Sequence, residues 1–160
     1  VPILFVCENN FYSVYSPLKV RQFPNRNISS IAESHGIKTF TGDGNDVHQV
    51  SKITNDAVKY MQQNNAPAFI EFETFRWLEH VGPNWDDDVG YRDDGELDNW
   101  LKRDPIKNYK NFILEKSIAN EGQILEKTDN IRAEIEEAFI YAKDSPFPDN
   151  EVMNQHIYKD

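Results

Sequence analysis

The sequence predicts an α/β fold, a partial three-layer sandwich around a mostly parallel sheet followed by carboxyl-terminal helices. Three observations carry that expectation. Ile3-Leu4-Phe5-Val6-Cys7 is an unbroken apolar run, the pattern of a parallel strand covered on both faces. Strand-like and helix-like stretches then alternate as β-α-β-α-β through residues 1–78, an order that points to parallel strands joined by right-handed crossovers. From residue 95 to 145 apolar residues recur at helical spacing.

The first strand runs directly into the polar string Glu8-Asn9-Asn10. A polar stretch with Pro17 and Pro24 follows, then a short helix from Ile28 to Ser34, closed by Gly36. Ile37 to Thr41 reads as the second strand. Asn45 or Asp46 can cap the next helix, in which Val47, Val50, Ile53, Ala57 and Met61 share one face. Pro67 restarts the chain, and Ala68 to Phe75 is the third strand. Residues 79–94 form an acidic loop, after which a short helix bears Leu97, Trp100 and Leu101. Asp104-Pro105 is a strong helix start, with Ile106, Tyr109, Phe112 and Ile113 as one apolar stripe behind it. Asn120 with Gln123 resembles a capping box. The long helix it opens is expected to bury Ile124, Ile131, Ile135, Phe139 and Ala142. Ser145-Pro146-Phe147-Pro148 stops that helix, and residues 146–160 are a tail.

Composition narrows the class of function. The chain has 160 residues, 39% hydrophobic and 28% charged, which fits one ordinary domain with a core. Lys plus Arg total 17 against 27 for Asp plus Glu, a formal charge of −10. That balance argues against a nucleic-acid backbone and against anionic membrane surfaces, both of which need clustered cations. One cysteine excludes a disulfide framework and a four-cysteine zinc site, and fits a reducing, cytoplasmic setting. No linker, repeat or basic leader is visible. Residue 1 is Val and opens straight into an apolar run, so 1–160 is expected to be a single but incomplete domain.

In open parallel sheets, ligands bind beyond the carboxyl ends of the strands. Three polar segments fall there: Glu8-Asn9-Asn10, Gly42 to Asp46, and Arg76 to His80. An Asn side-chain oxygen and neighbouring carbonyls are hard donors suited to Mg²⁺ holding a phosphate. The same string also suits a loop built on Asx turns. His80 could transfer a proton, since an imidazole titrates near neutrality, or could be a solvated loop residue. His35 and His48 fall in helices and His156 in the tail, and none is assigned chemistry. Asp86-Asp87-Asp88 lacks the spaced donors, the turn glycine and the terminal Glu of a calcium loop, and reads as a solvated loop. Trp77, Trp85 and Trp100 lack an accompanying basic groove, so core or subunit contact is expected of them.

Val6-Cys7-Glu8-Asn9-Asn10-Phe11-Tyr12-Ser13 with Ser16-Pro17 resembles the alpha subunit of thiamine-diphosphate-dependent 2-oxo acid dehydrogenases, the decarboxylating component of the pyruvate, branched-chain and acetoin systems. The resemblance continues through Asp43-Gly44-Asn45-Asp46-Val47, Thr74-Phe75-Arg76-Trp77 with His80, Gly90-Tyr91-Arg92, Lys102-Arg103-Asp104-Pro105-Ile106 and Ser145-Pro146-Phe147-Pro148. It implies a thiamine-diphosphate-binding fold with thiamine diphosphate and Mg²⁺ as cofactors. By it, Asn10 binds Mg²⁺ through its side chain and Tyr12 through its carbonyl. Glu8 lies near the diphosphate, and His80 is the active-site histidine near the thiazolium. It also implies oxidative decarboxylation of a 2-oxo acid with acyl transfer to a lipoyl group. The expected partners are a beta subunit and a lipoyl-bearing acyltransferase component, within an oligomer.

In that family a Gly-Asp-Gly segment well upstream opens the cofactor motif and the double Asn closes it. Here Asn9-Asn10 stand at the start, so the chain looks like the carboxyl-terminal half of an alpha subunit, expected to be inactive alone. Gly42-Asp43-Gly44 is a decoy, because its next double Asn, Asn64-Asn65, follows a helix rather than a strand, and only residues 45–63 separate them, shorter than the family's spacing. Val81 stands where regulated mitochondrial members carry a phosphorylated Ser, and Glu79 where many carry Gly, as in a divergent bacterial branch. The rival reading is a non-catalytic α/β module working through aromatic and acidic loop surfaces.

Overall fold

The apolar run at the amino terminus becomes strand β1, Leu4–Asn9. The computed structural model describes residues 1–24, 26–155 and 157–158, so His156 in the expected tail lies outside the described residues. After β1 come a two-residue ribbon, β2 (Tyr12–Ser13) and β3 (Ser16–Pro17), and a 3₁₀ turn at Leu18–Val20. Then follow α1 (Ile28–Ser34), β4 (Lys38–Asp43), α2 (Val47–Asn64) and β5 (Ala68–Glu73). α3 (Glu96–Leu101), α4 (Pro105–Glu115), α5 (Glu121–Asp144) and a 3₁₀ turn at Asn150–Asn154 complete the order. The ribbon and the first 3₁₀ turn carry too few residues to show a period, so neither is expected from the sequence.

β1, β5 and β4 form a three-stranded parallel sheet in that order, with Leu4 and Lys38 both level with Ala68. β5 is central, so both its faces are covered: Ala68 and Ile70 are fully buried, and Phe69 is partly so. Side chains alternate across a strand. Ala68, Ile70 and Phe72 therefore share one face, where Ala57, Val50, Ile53, Tyr60 and Met61 of α2 cover them. Glu71 points to the other face and accepts a hydrogen bond from the Ser29 N–H in α1. Helices thus lie on opposite faces, giving the three layers expected. α2 approaches closely because Gly42 has no side chain; a Cβ there would strike Ile53 Cδ1.

The helix ends follow the chemistry of their caps. The Asp46 carboxylate accepts from the N–H groups of His48 at 2.9 Å and Gln49 at 3.1 Å, satisfying two of the donors that a helix start leaves open. Asn65, at φ 47°, closes the same helix in the left-handed conformation that Asn tolerates. Asp104 accepts from Ile106 and Lys107 at the start of α4. Asn120 and Gln123 exchange both bonds of a capping box before α5.

Two burial expectations do not hold. β1 sits at the sheet edge, with Phe5 45% and Val6 54% exposed, because among the described residues only β5 pairs with it. In α5 the apolar stripe exists but is not buried: Ile131, Ile135 and Phe139 are about half exposed or more. Periodicity reports which face of a helix is apolar, not what covers it. The chain divides into two compact units, Val1–Phe112, which holds the sheet, and Ile113–Asp160, which holds α5. Among the described residues, no helix is long and apolar enough to cross a membrane.

Candidate functional site

The sheet register sets the site. Asn9, Glu73 and Asp43 end their strands side by side. Two backbone bonds prolong this alignment past the strands, from Thr74 N–H to the Asn9 carbonyl at 2.9 Å and from Gly44 N–H to the Glu73 carbonyl at 2.7 Å. The three polar segments picked out in the sequence therefore leave from one carboxyl edge. Gly44 is required there, since a Cβ would lie 2.7 Å from the Glu73 carbonyl oxygen.

At the end of β1 both asparagines fold back on the chain. Asn9 is buried; its Oδ1 accepts from Phe11 N–H at 3.1 Å and its Nδ2 donates to Glu71 Oε1 at 2.8 Å. Asn10 Oδ1 accepts from Tyr12 N–H at 3.0 Å. Both Asx turns are formed, and Phe11 between them sits at φ 64°, a conformation that bulky residues rarely adopt. Leu18 N–H donates to the Phe11 carbonyl at 2.7 Å across the ribbon. Hydrogen-bonded and non-hydrogen-bonded pairs alternate in antiparallel strands. The N–H and carbonyl of Tyr12, opposite Pro17, are therefore directed away from β3, toward the side where the Asn10 amide sits.

The Tyr12 phenol donates to Glu96 Oε2 at 2.5 Å, tying the ribbon to α3. Burial first, then the Glu96 carboxylate, pushes this phenol above the ordinary tyrosine range. Tyr91 is raised as well, by burial and by its bond to Asp86. A phenol whose pKa is higher in the folded protein than in the unfolded chain adds stability that is complete below the unfolded value, about 10, and is lost as pH rises through the folded one. Chemical denaturation from pH 8 to pH 12 should show stability falling above about pH 10. Tyr12→Phe should flatten that fall; an unchanged slope would contradict the Tyr12–Glu96 bond.

Glu8 is exposed at the end of β1, on the α2 face. His80 is exposed in the loop after β5, and its ring makes no hydrogen bond among the described residues. The loop around it is nevertheless well tied. Glu79 N–H donates to the Asn84 carbonyl at 2.9 Å, and Glu79 Oε1 accepts from Asn84 Nδ2 at 2.6 Å and from its N–H at 3.2 Å. Leu78 pairs with Trp85 in an isolated bridge. Beyond it Asp86 is 2% exposed, which corrects the reading of the acidic run as solvated; Asp87 and Asp88 alone are exposed. Asp86 Oδ1 lies 2.8 Å from Arg92 Nη2, and its Oδ2 lies 3.6 Å from Arg76 Nη2 and accepts from the Tyr91 hydroxyl. Arg92 Nε and Arg76 Nη2 each donate to the Tyr91 oxygen at 2.8 Å. Arg92 Nη2 donates to the Arg76 carbonyl at 2.8 Å, and Arg76 Nη2 reaches the Val14 carbonyl at 3.0 Å. The Arg92 guanidinium lies 4.7 Å from the Phe75 ring centroid. This cluster joins the His80 loop to strand β5 and to the ribbon that carries Tyr12.

A model of the family described as Dehydrogenase E1 component matches residues 1–151. The chain belongs to that family. Pyruvate dehydrogenase E1 component subunit alpha of Rickettsia bellii is 29% identical over 99% of this chain and 47% of its own length. The protein of the same name from Porphyra purpurea is 29% identical over 100% of this chain and 45% of its length. The human mitochondrial 2-oxoisovalerate dehydrogenase subunit alpha is 30% identical over 99% of this chain and 35% of its length. The E1-family chain thus spans less than half the length of these relatives.

Several residues around the site of this E1-family chain escaped the sequence reading. Glu71 could have been noticed, because a carboxylate inside Ala68-Phe69-Ile70-Glu71-Phe72 must be hydrogen-bonded to be tolerated. Asp86 could not be told from Asp87 and Asp88 without the fold that brings Arg76 and Arg92 to it. Glu96 lies in the first turn of α3, where an acid is ordinary, and nothing local marks it as the partner of Tyr12.

Proposed function

We propose that this chain is part of the alpha subunit of a thiamine-diphosphate-dependent 2-oxo acid dehydrogenase, an incomplete thiamine-diphosphate-binding domain of a cytoplasmic enzyme. The single observation that carries the reading is the Asn10–Tyr12 turn. The Asn10 side-chain oxygen spends one lone pair on Tyr12 N–H, and the Tyr12 carbonyl is directed to the same side. Two neutral oxygens on a fixed turn suit Mg²⁺, which takes six oxygen ligands in near-octahedral geometry. Among the described residues no group of three or more acidic, imidazole or thiol side chains could hold a metal by itself. The remaining ligand positions would fall to phosphate oxygens, water and a carboxylate from elsewhere in the assembled enzyme. Bound there, thiamine diphosphate supplies the electron sink that decarboxylation requires.

Glu8, at the same edge, would orient the diphosphate end. His80 would sit beside the reacting carbon and move or hold a proton as the acyl unit departs for the lipoyl group. The beta subunit and the lipoyl-bearing acyltransferase component are the partners this reading requires. The test is Mg²⁺-dependent titration of thiamine diphosphate into the full-length subunit assembled with its partner. Asn10→Ala should weaken binding about 10- to 100-fold, the range seen when metal-site support is removed. Unaltered affinity in that variant would refute the assignment.

A further inference from the structure

We propose that Glu71 is a positioning residue for the Asn10–Tyr12 turn, acting through the Asn9 amide; this rests on the reading of that turn as the Mg²⁺ site. Glu71 lies in the central strand and is 7% exposed. Burying a carboxylate in an otherwise apolar strand is costly unless each oxygen is satisfied. Both are: Oε1 accepts from Asn9 Nδ2 at 2.8 Å and Oε2 from the Ser29 N–H at 2.7 Å. The carboxylate fixes which way the Asn9 amide faces. That leaves Asn9 Oδ1 aimed at the Phe11 N–H, 3.1 Å away. The Asn9 carbonyl is held by Thr74 N–H.

Phe11 is the strained point, at φ 64°. Such a conformation persists only where its surroundings hold it from several sides. Here the holders are the Asn9 side chain on the Phe11 N–H, Leu18 N–H on the Phe11 carbonyl, and the ring of Trp100 at 6.2 Å. Removing the Glu71 acceptor frees the Asn9 amide to rotate and takes away the first of these. Relaxation of φ at Phe11 then swings the next peptide, which carries the Tyr12 N–H that orients Asn10.

The experiment uses the full-length subunit with its partner and follows thiamine diphosphate binding by calorimetry in the presence of Mg²⁺, alongside thermal unfolding. Glu71→Gln keeps the shape but must turn an NH₂ group toward one of two donors. It should weaken Mg²⁺-dependent binding about 10- to 100-fold. Adding Asn9→Asp to it restores every bond and reverses only the one between the two side chains, because the new carboxylate accepts from the new amide while the Gln oxygen still accepts from Ser29 and the Asp still accepts from Phe11. The paired variant should return to within about threefold of the parent affinity, the behaviour expected of directly coupled neighbours. Normal affinity in Glu71→Gln with a lowered Tm would overturn the proposal and leave Glu71 as a staple for α1. If Glu71→Gln does not fold, the paired variant decides: parent-like affinity supports positioning and weakened affinity overturns it. A parent protein without Mg²⁺-dependent binding would instead sink the reading of the turn as a metal site, and this inference with it.

Discussion

In the assembled enzyme, His80→Ala should lower kcat by about 100- to 10,000-fold, the range supplied by positioned acid–base groups. Cofactor affinity should change far less, because a group acting at the reacting centre contributes mainly in the transition state. The two proposed roles fall on different segments of the chain. Asn10 and Tyr12 belong to a turn at the end of β1, whereas His80 lies on a separate loop after β5, tied to the ribbon through Arg76 and Tyr91 rather than through the Asx turns. Loss of the imidazole therefore leaves the Asx turns intact. The ring is exposed in that loop, so a ligand can reach it. Steady-state rates and calorimetric Kd values for the same variant check both halves. An unchanged kcat would return His80 to the status of a solvated loop residue, and a kcat and Kd that moved in proportion would make it a binding group.

The alternating order of strands and helices was legible because the strands and helices of the sheet unit differ in period and α2 carries its own cap. Ile28–Ser34, the Asp46 cap and the Asp104-Pro105 start are all where local chemistry put them. What could not be read was anything set by partners distant in sequence. The apolar character of Phe5 and Val6 promised cover on both faces, but coverage depends on neighbours, and β1 has β5 on one side only. Asn9-Asn10 could be read as Asx turns or as metal ligands. The structure shows both turns formed while leaving an Asn10 lone pair over, so the two readings do not compete. Asp86 is the clearest case of distant control, since a run of three identical acids divides into one buried and two exposed members according to where two arginines fall.

The same division leads to the second large effect. Asp86→Ala should loosen the His80 loop. The side chains of Asp86 and Arg92 are each 2% exposed, and that of Arg76 is 19% exposed. The cluster holds one carboxylate and two guanidinium groups. Among the described residues, Arg76 Nη1, Arg92 Nη1 and Asp86 Oδ1 are already buried without a hydrogen-bond partner. Removing the carboxylate leaves two cations close together with only the Tyr91 oxygen and two backbone carbonyls to accept from them. Breaking a buried pair by deleting one partner costs about 3–5 kcal/mol, because the surviving charge stays desolvated. The loop can escape that penalty by opening, which exposes Arg92 to water. Opening is favoured over global unfolding because β5 and α2 do not depend on the cluster. Hydrogen exchange should therefore accelerate in peptides covering residues 79–94, while those covering β5 and α2 keep their protection. Replacing both members, Asp86→Ala with Arg92→Leu, should cost less than Asp86→Ala alone, since no unpaired buried charge remains at Arg92. On the role proposed for His80, activity should fall in the single variant even with that residue present, because an open loop no longer fixes the position of the imidazole. Exchange in residues 79–94 that matched the parent would show that the ties from Glu79 to Asn84 and from Leu78 to Trp85 hold the loop without the buried ions.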